Sequence, residues 1–149
     1  MNRNFFLSLF LALFLTACIK PEPPVFKKIE NLSVSYDESV ELTADAVLYN
    51  PNKRSVKLKE VKIDVLMGNE SWGGIDKAYD LDIKAESDFK VPFVVKLSKK
   101  KVEKNLLGSI MSILGGKSTE LRFVGYVKAN SYGINFKVPI DVKRKVKLR

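Results

Sequence analysis

Phe89, Val91, Phe93, Val95 and Leu97 recur at every second position. A two-residue period puts one set of side chains on one face of an extended strand, whereas a helix needs steps of three and four. The same alternation runs through Leu42, Ala44, Ala46 and Leu48 against Thr43, Asp45, Val47 and Tyr49, and through Val61, Ile63, Val65 and Met67 against Lys62 and Asp64. Such repetition confines the chain to an antiparallel β fold with one face of each sheet buried.

Turn residues divide the pattern into strands at about residues 29–36, 40–49, 56–67, 82–97, 119–129 and 134–148, plus a short one around Trp72 that Gly73-Gly74 ends. Asn50-Pro51-Asn52 stops the second strand, because proline offers no N–H to a ladder and asparagine suits turns. Pro92 places its strand at an edge or a bulge, and Asn130-Ser131-Tyr132-Gly133 reads as the last hairpin loop. Between Ser98 and Leu114 the period changes: Val102, Leu106, Ile110 and Ile113/Leu114 form one helical stripe, with Ser98 as N-cap and Gly115-Gly116 as the stop. The expected fold is an immunoglobulin- or fibronectin III-like β-sandwich of about seven strands, with one amphipathic helix over an open end.

The N-terminus breaks this pattern. Asn2 and Arg3 precede the apolar run Phe5–Leu15, which is shorter than the roughly 20 residues of a spanning helix. It reads as an export signal. Leu15-Thr16-Ala17-Cys18 resembles the lipobox of bacterial lipoproteins, so cleavage before Cys18 and diacylation of its thiol are expected. The domain plan is then a signal peptide over 1–17, a lipidated cysteine and proline-rich spacer over 18–25, and a β-sandwich over 26–149. Two or three acyl chains, at about 0.8 kcal/mol per buried methylene, hold such a protein on a membrane. Ile19 is not the aspartate that retains lipoproteins at the inner membrane of enteric bacteria, which favours the outer membrane. Cys18 is the only cysteine of the 149 residues, so the fold has no disulfide to lean on.

The strand ending in Asn50-Pro51-Asn52 resembles the hallmark strand and N-P-N turn of the late-embryogenesis-abundant (LEA) type 2 proteins, whose domain is also called the WHy domain. Gly68, Val91-Pro92-Phe93-Val94-Val95, Leu121-Arg122-Phe123-Val124-Gly125-Tyr126-Val127 and Val138-Pro139-Ile140 follow in that family's order. The resemblance covers roughly Ile29 to Val142. It implies the sandwich fold and a context of desiccation and stress tolerance, with exported lipoproteins among bacterial relatives. It supplies no catalytic residues.

The residues themselves speak against an enzyme. The chain has no histidine, which removes the commonest general base and the commonest neutral metal ligand. Gly116-Lys117-Ser118 lacks the earlier glycine of a phosphate-binding loop, Met111 standing in its place, and reads as a helix end. Asp76, Asp80, Asp82, Glu86 and Asp88 fit no calcium loop and read as a solvated strand face. No cofactor is expected, and Trp72 is expected at the edge of the core.

The formal charge is +9. Its cations concentrate in Lys99, Lys100, Lys101 and Lys104, where the helix begins, and in Lys143, Arg144, Lys145, Lys147 and Arg149. These are candidate contacts for anionic lipid or another envelope polymer; the alternative is protection of an exposed sheet edge by lysine. Export argues against nucleic acid. The reading is a membrane-anchored, non-enzymatic stress-protective or binding module. A carrier of lipid or another hydrophobic ligand, and a structural subunit of an envelope complex, are the alternatives.

Overall fold

The computed structural model describes residues 20–101 and 119–146. Seven strands form two antiparallel sheets: β1 (Val25–Tyr36), β2 (Val40–Asn50), β3 (Val56–Met67), β4 (Glu70–Ile83), β5 (Ser87–Leu97), β6 (Thr119–Ser131) and β7 (Ile134–Val146). One sheet has the order β1-β2-β5 and the other β4-β3-β6-β7. The expected all-β sandwich is therefore the observed architecture. Helical geometry begins at Lys99, and the Lys101 N–H donates to the Ser98 carbonyl at 3.0 Å. The rest of the expected helix lies outside the described residues.

The alternating faces meet in a single apolar interior. Leu42, Leu48, Leu58, Ile63, Val65, Val95 and Phe123 are fully buried. The rings of Phe93 and Phe123 meet edge to face across the two sheets, with centroids 6.2 Å apart and planes at 72°. Trp72 is buried with this core.

Three strand boundaries need correction. Gly73-Gly74 does not end β4, which runs on through Tyr79 to Ile83, and Asp82 belongs to β4 rather than to the start of β5. The glycines are there for close approach: a Cβ on Gly73 would run into the carbonyl oxygen of Lys96 on β5. The edges of the two sheets nearly touch at that point, and the Ser98 N–H donates to the Trp72 carbonyl at 2.8 Å. Beyond Gly74 the strand is a solvated edge, so few of its side chains need to be apolar. The first strand also starts before Ile29, at Val25, because a bulge between Phe26 and Lys28 shifts the register and hides the alternation.

Pro92 lies on β5, an edge strand as expected, and Pro139 lies on β7, the edge of the other sheet. An edge strand has one side without ladder partners, which is where a missing N–H does least harm. The last hairpin is tighter than expected. β6 runs to Ser131 and β7 begins at Ile134, leaving only Tyr132 and Gly133, both with positive φ (52° and 79°). That combination marks a type I′ turn.

Replacing Gly73 by valine would push β5 away from β4 and is expected to destabilise the domain by about 1–3 kcal/mol, the usual range for overpacking. A thermal or urea melt beside the unaltered protein checks this; an unchanged midpoint would mean that the edge contact bears no weight.

Candidate functional site

One end of the sandwich gathers the start of β1, the end of β2, the β4–β5 loop and the β6–β7 turn. Asn50 and Asn52 are buried here, with Pro51 between them and the chain bending over residues 52–54. The Asn50 Nδ2 donates to the carbonyls of Arg54 (3.0 Å) and Lys84 (2.9 Å). Its Oδ1 accepts from the backbone N–H and the Nδ2 of Asn52, at 3.0 and 2.9 Å. Both amide protons and both lone pairs of Asn50 are thus used, which is the full capacity of the side chain.

Asn52 extends the network to the N-terminal segment. Its Oδ1 accepts from the Glu22 N–H and its Nδ2 donates to the Glu22 carbonyl, both at 2.8 Å. A side-chain amide here does for Glu22 what a neighbouring strand would do. The Asn52 carbonyl accepts from the Glu86 N–H at 3.1 Å. Pro24 is buried, so the segment expected to stand off as a spacer is already docked from Glu22 onward. The hallmark turn was legible in the sequence; its partners Glu22, Lys84 and Glu86 were not, since they lie up to 34 residues away and contribute backbone groups.

The same end is basic and partly aromatic at its surface. Lys20, Lys53, Arg54 and Lys84 are exposed beside the carboxylates of Glu22 and Glu86. Tyr132 and Ile134 are each 47% exposed, and the Arg54 guanidinium sits 5.4 Å from the centre of the Tyr132 ring.

The basic clusters singled out from the sequence lie at the opposite end and are not brought together. Lys99, Lys100 and Lys101 follow β5 on one lateral edge, while Lys143, Arg144 and Lys145 lie on β7 at the other. Lys101 Nζ meets Glu70 Oε1 at 3.1 Å and donates to the Ser71 carbonyl at 2.7 Å. Lys143 pairs with Glu120 at 2.9 Å. Arg144 donates to the Ile29 carbonyl at 3.3 Å, reaching from one sheet to the other. Lys104, Lys147 and Arg149 lie outside the described residues, as does Cys18.

The acidic positions disperse into separate pairs: Asp76 with Lys62 (2.9 Å), Asp80 with Lys59 (2.8 Å), and Asp88 with Lys27 (2.6 Å). Among the described residues no group of three or more His, Cys, Asp or Glu could hold a metal. A groove of about 590 Å³ opens at the β4–β5 edge between Ile75, Tyr79, Pro92 and Phe93. The Tyr79 hydroxyl donates to the Pro92 carbonyl at 3.4 Å, and partial burial raises its pKa.

Two measurements test this chemistry. Asn50→Asp would set carboxylate oxygens against the Arg54 and Lys84 carbonyls, acceptor facing acceptor, and is expected to cost at least about 3 kcal/mol at neutral pH in a urea melt. The second concerns acid. Lys28 and Lys90, at 2.7 and 2.8 Å, hold the Glu30 carboxyl down from 4.5 to about 2. Asp80, beside Lys59 and Lys57, and Asp141, beside Arg122, are lowered as well. A carboxyl depressed in the folded state contributes stability above its ordinary pKa and loses it as pH falls through the folded value. The melting temperature is therefore expected to fall as pH drops from about 4.5 to about 2, and Glu30→Gln is expected to flatten that slope.

No family model and no curated protein sequence matches the chain. Solved structures do. A protein from Arabidopsis thaliana superposes with a TM-score of 0.70 at 14% identity, covering 91% of this chain and 89% of that one. A protein from Archaeoglobus fulgidus gives 0.59 at 12% identity, with 83% and 98% covered. A candidate late embryogenesis abundant protein gives 0.55 at 12% identity, with 95% and 79% covered. At such identities the likeness is one of fold, and the fold is LEA-like.

Proposed function

We propose that this chain is a non-enzymatic lipoprotein of the cell envelope. It is acylated at Cys18, held in the outer membrane, and acts as a stress-protective or binding module of LEA type 2 character. The observation that carries the reading is the order of the N-terminal residues: a short apolar run, then Leu15-Thr16-Ala17-Cys18 with the chain's only cysteine. The LEA-like sandwich supports the second half of the reading, and so does the tightly packed interior. A domain of this kind works through its surface.

The carrier alternative has the β4–β5 groove in its favour. That groove is open to solvent, and Tyr79 hydrogen-bonds across it to Pro92. A hydrophobic ligand there would be left partly in water, whereas small-molecule sites bury most of their ligand. Contact through exposed side chains is the better-supported mode.

Mass spectrometry of the mature protein from native membranes, beside a Cys18→Ala variant, tests the anchor. The expected mass begins at Cys18 and carries acyl chains, and the variant is expected to leave the membrane fraction. An unlipidated soluble chain would overturn the anchor and leave only the LEA-like sandwich.

A further inference from the structure

Only three residues, Ile19 to Pro21, lie between Cys18 and Glu22, and Glu22 is clamped to Asn52 through both of its backbone polar groups, at 2.8 Å each. The four Cα-to-Cα steps from Cys18 to Glu22 reach about 14 Å at most. With acyl chains on Cys18, the end of the sandwich that holds Asn52 is leashed within that distance of the lipid. We propose that this end rests on the bilayer surface, with Lys20, Lys53, Arg54 and Lys84 against anionic phospholipid headgroups and Tyr132 in the interface. The inference depends on the acylation proposed above and adds the orientation and the lipid contact.

Two observations carry it beyond the leash. The loops at this end expose the four cations against the two carboxylates of Glu22 and Glu86, leaving an excess of the sign that anionic headgroups attract. A basic residue held near such a surface strengthens association by about fivefold. Tyr132 occupies a turn position with φ 52°, which a bulky residue seldom adopts, and the turn displays its ring at the tip instead of burying it. Tyrosine, apolar in body with a hydroxyl at its end, is the residue type enriched at membrane interfaces.

Distance excludes the two basic clusters at the opposite end from this contact. Lys143–Lys145 lie nine to eleven residues along β7 from Ile134, and Lys99–Lys101 follow the far end of β5, so at about 3.3 Å per residue both clusters stand roughly 25 Å or more from the leashed end. Screening at physiological ionic strength acts over about 8 Å. Those clusters do not feel the membrane that carries the anchor.

The test uses the full, acylated protein in vesicles of phosphatidylcholine with phosphatidylglycerol. Acylation blocks Cys18, so a fluorophore attaches to one introduced cysteine, either Ser55→Cys beside the basic tip or Asn69→Cys in the hairpin at the far end. Vesicle flotation reads the anchor, and iodide quenching reads the exposure of each label to water. We expect the label at 55 to be shielded several-fold relative to that at 69, and Lys53→Glu with Arg54→Glu to remove the shielding. Equal quenching of both labels on floating protein would overturn the docking. Shielding that survives the two charge reversals would overturn the headgroup assignment. Protein that does not float would overturn the anchor itself.

Discussion

The Asn50–Asn52 network is the interaction on which the rest of the domain depends, because it joins the two sheets where the core cannot. Asn50 ends β2 in one sheet, and its amide reaches the carbonyl of Lys84, just past β4 in the other. The Asn52 carbonyl takes the N–H of Glu86 in the same loop. A sandwich without disulfides must close its ends by some other means, since apolar side chains there would face water. Fully paired amides do so. Each bond contributes only about 1 kcal/mol net, but a buried donor or acceptor left without its partner costs more than the bond contributes. The four bonds of Asn50 therefore hold or fail together.

The two lateral edges are closed differently. Between β4 and β5 the closure is steric: Gly73 lets the backbone of Lys96 come close, and Ser98 adds a hydrogen bond to Trp72. Between β1 and β7 it is a long side chain, Arg144, whose guanidinium reaches the carbonyl of Ile29. A residue that reads as part of a basic patch is thus partly a fastening between sheets. Its neighbours Lys143 and Lys145 point outward on an edge strand, where lysine discourages pairing with another chain.

The sequence made most of the fold legible, and the misses have physical causes. Strands with one buried face, such as β2, β3 and β5, announce themselves because burial enforces alternation. β4 was cut short because an exposed edge imposes no such rule, and because glycine in a strand looks the same whether it ends the strand or admits a neighbour. The asparagine turn was visible as a motif, yet not as a site. What makes it one is its grip on the backbone of Glu22 and Lys84, and backbone groups leave no trace in residue identity. The basic clusters were visible too, but linear spacing could not tell that Lys101 and Arg144 occupy opposite edges.

The buried amides also give the domain a polarity that its strands alone do not have. Seven strands of similar length present two equivalent ends; the docking of Glu22 makes one of them the end at which the N-terminal segment is held against the domain. Chemistry then divides along the long axis. The held end combines lightly paired cations with an exposed tyrosine and isoleucine, a mixture suited to the boundary between water and lipid. The far end interlaces its lysines with glutamates, as in Lys101 with Glu70 and Lys143 with Glu120. An anionic polymer arriving there must displace carboxylates already in place, and these are exposed pairs that yield readily. Under the proposed anchor that end stands outside the membrane's field, so a partner bound there would come from the far side of the domain. A sandwich anchored in the proposed way would hold its lipid contact and any second partner apart by its own length.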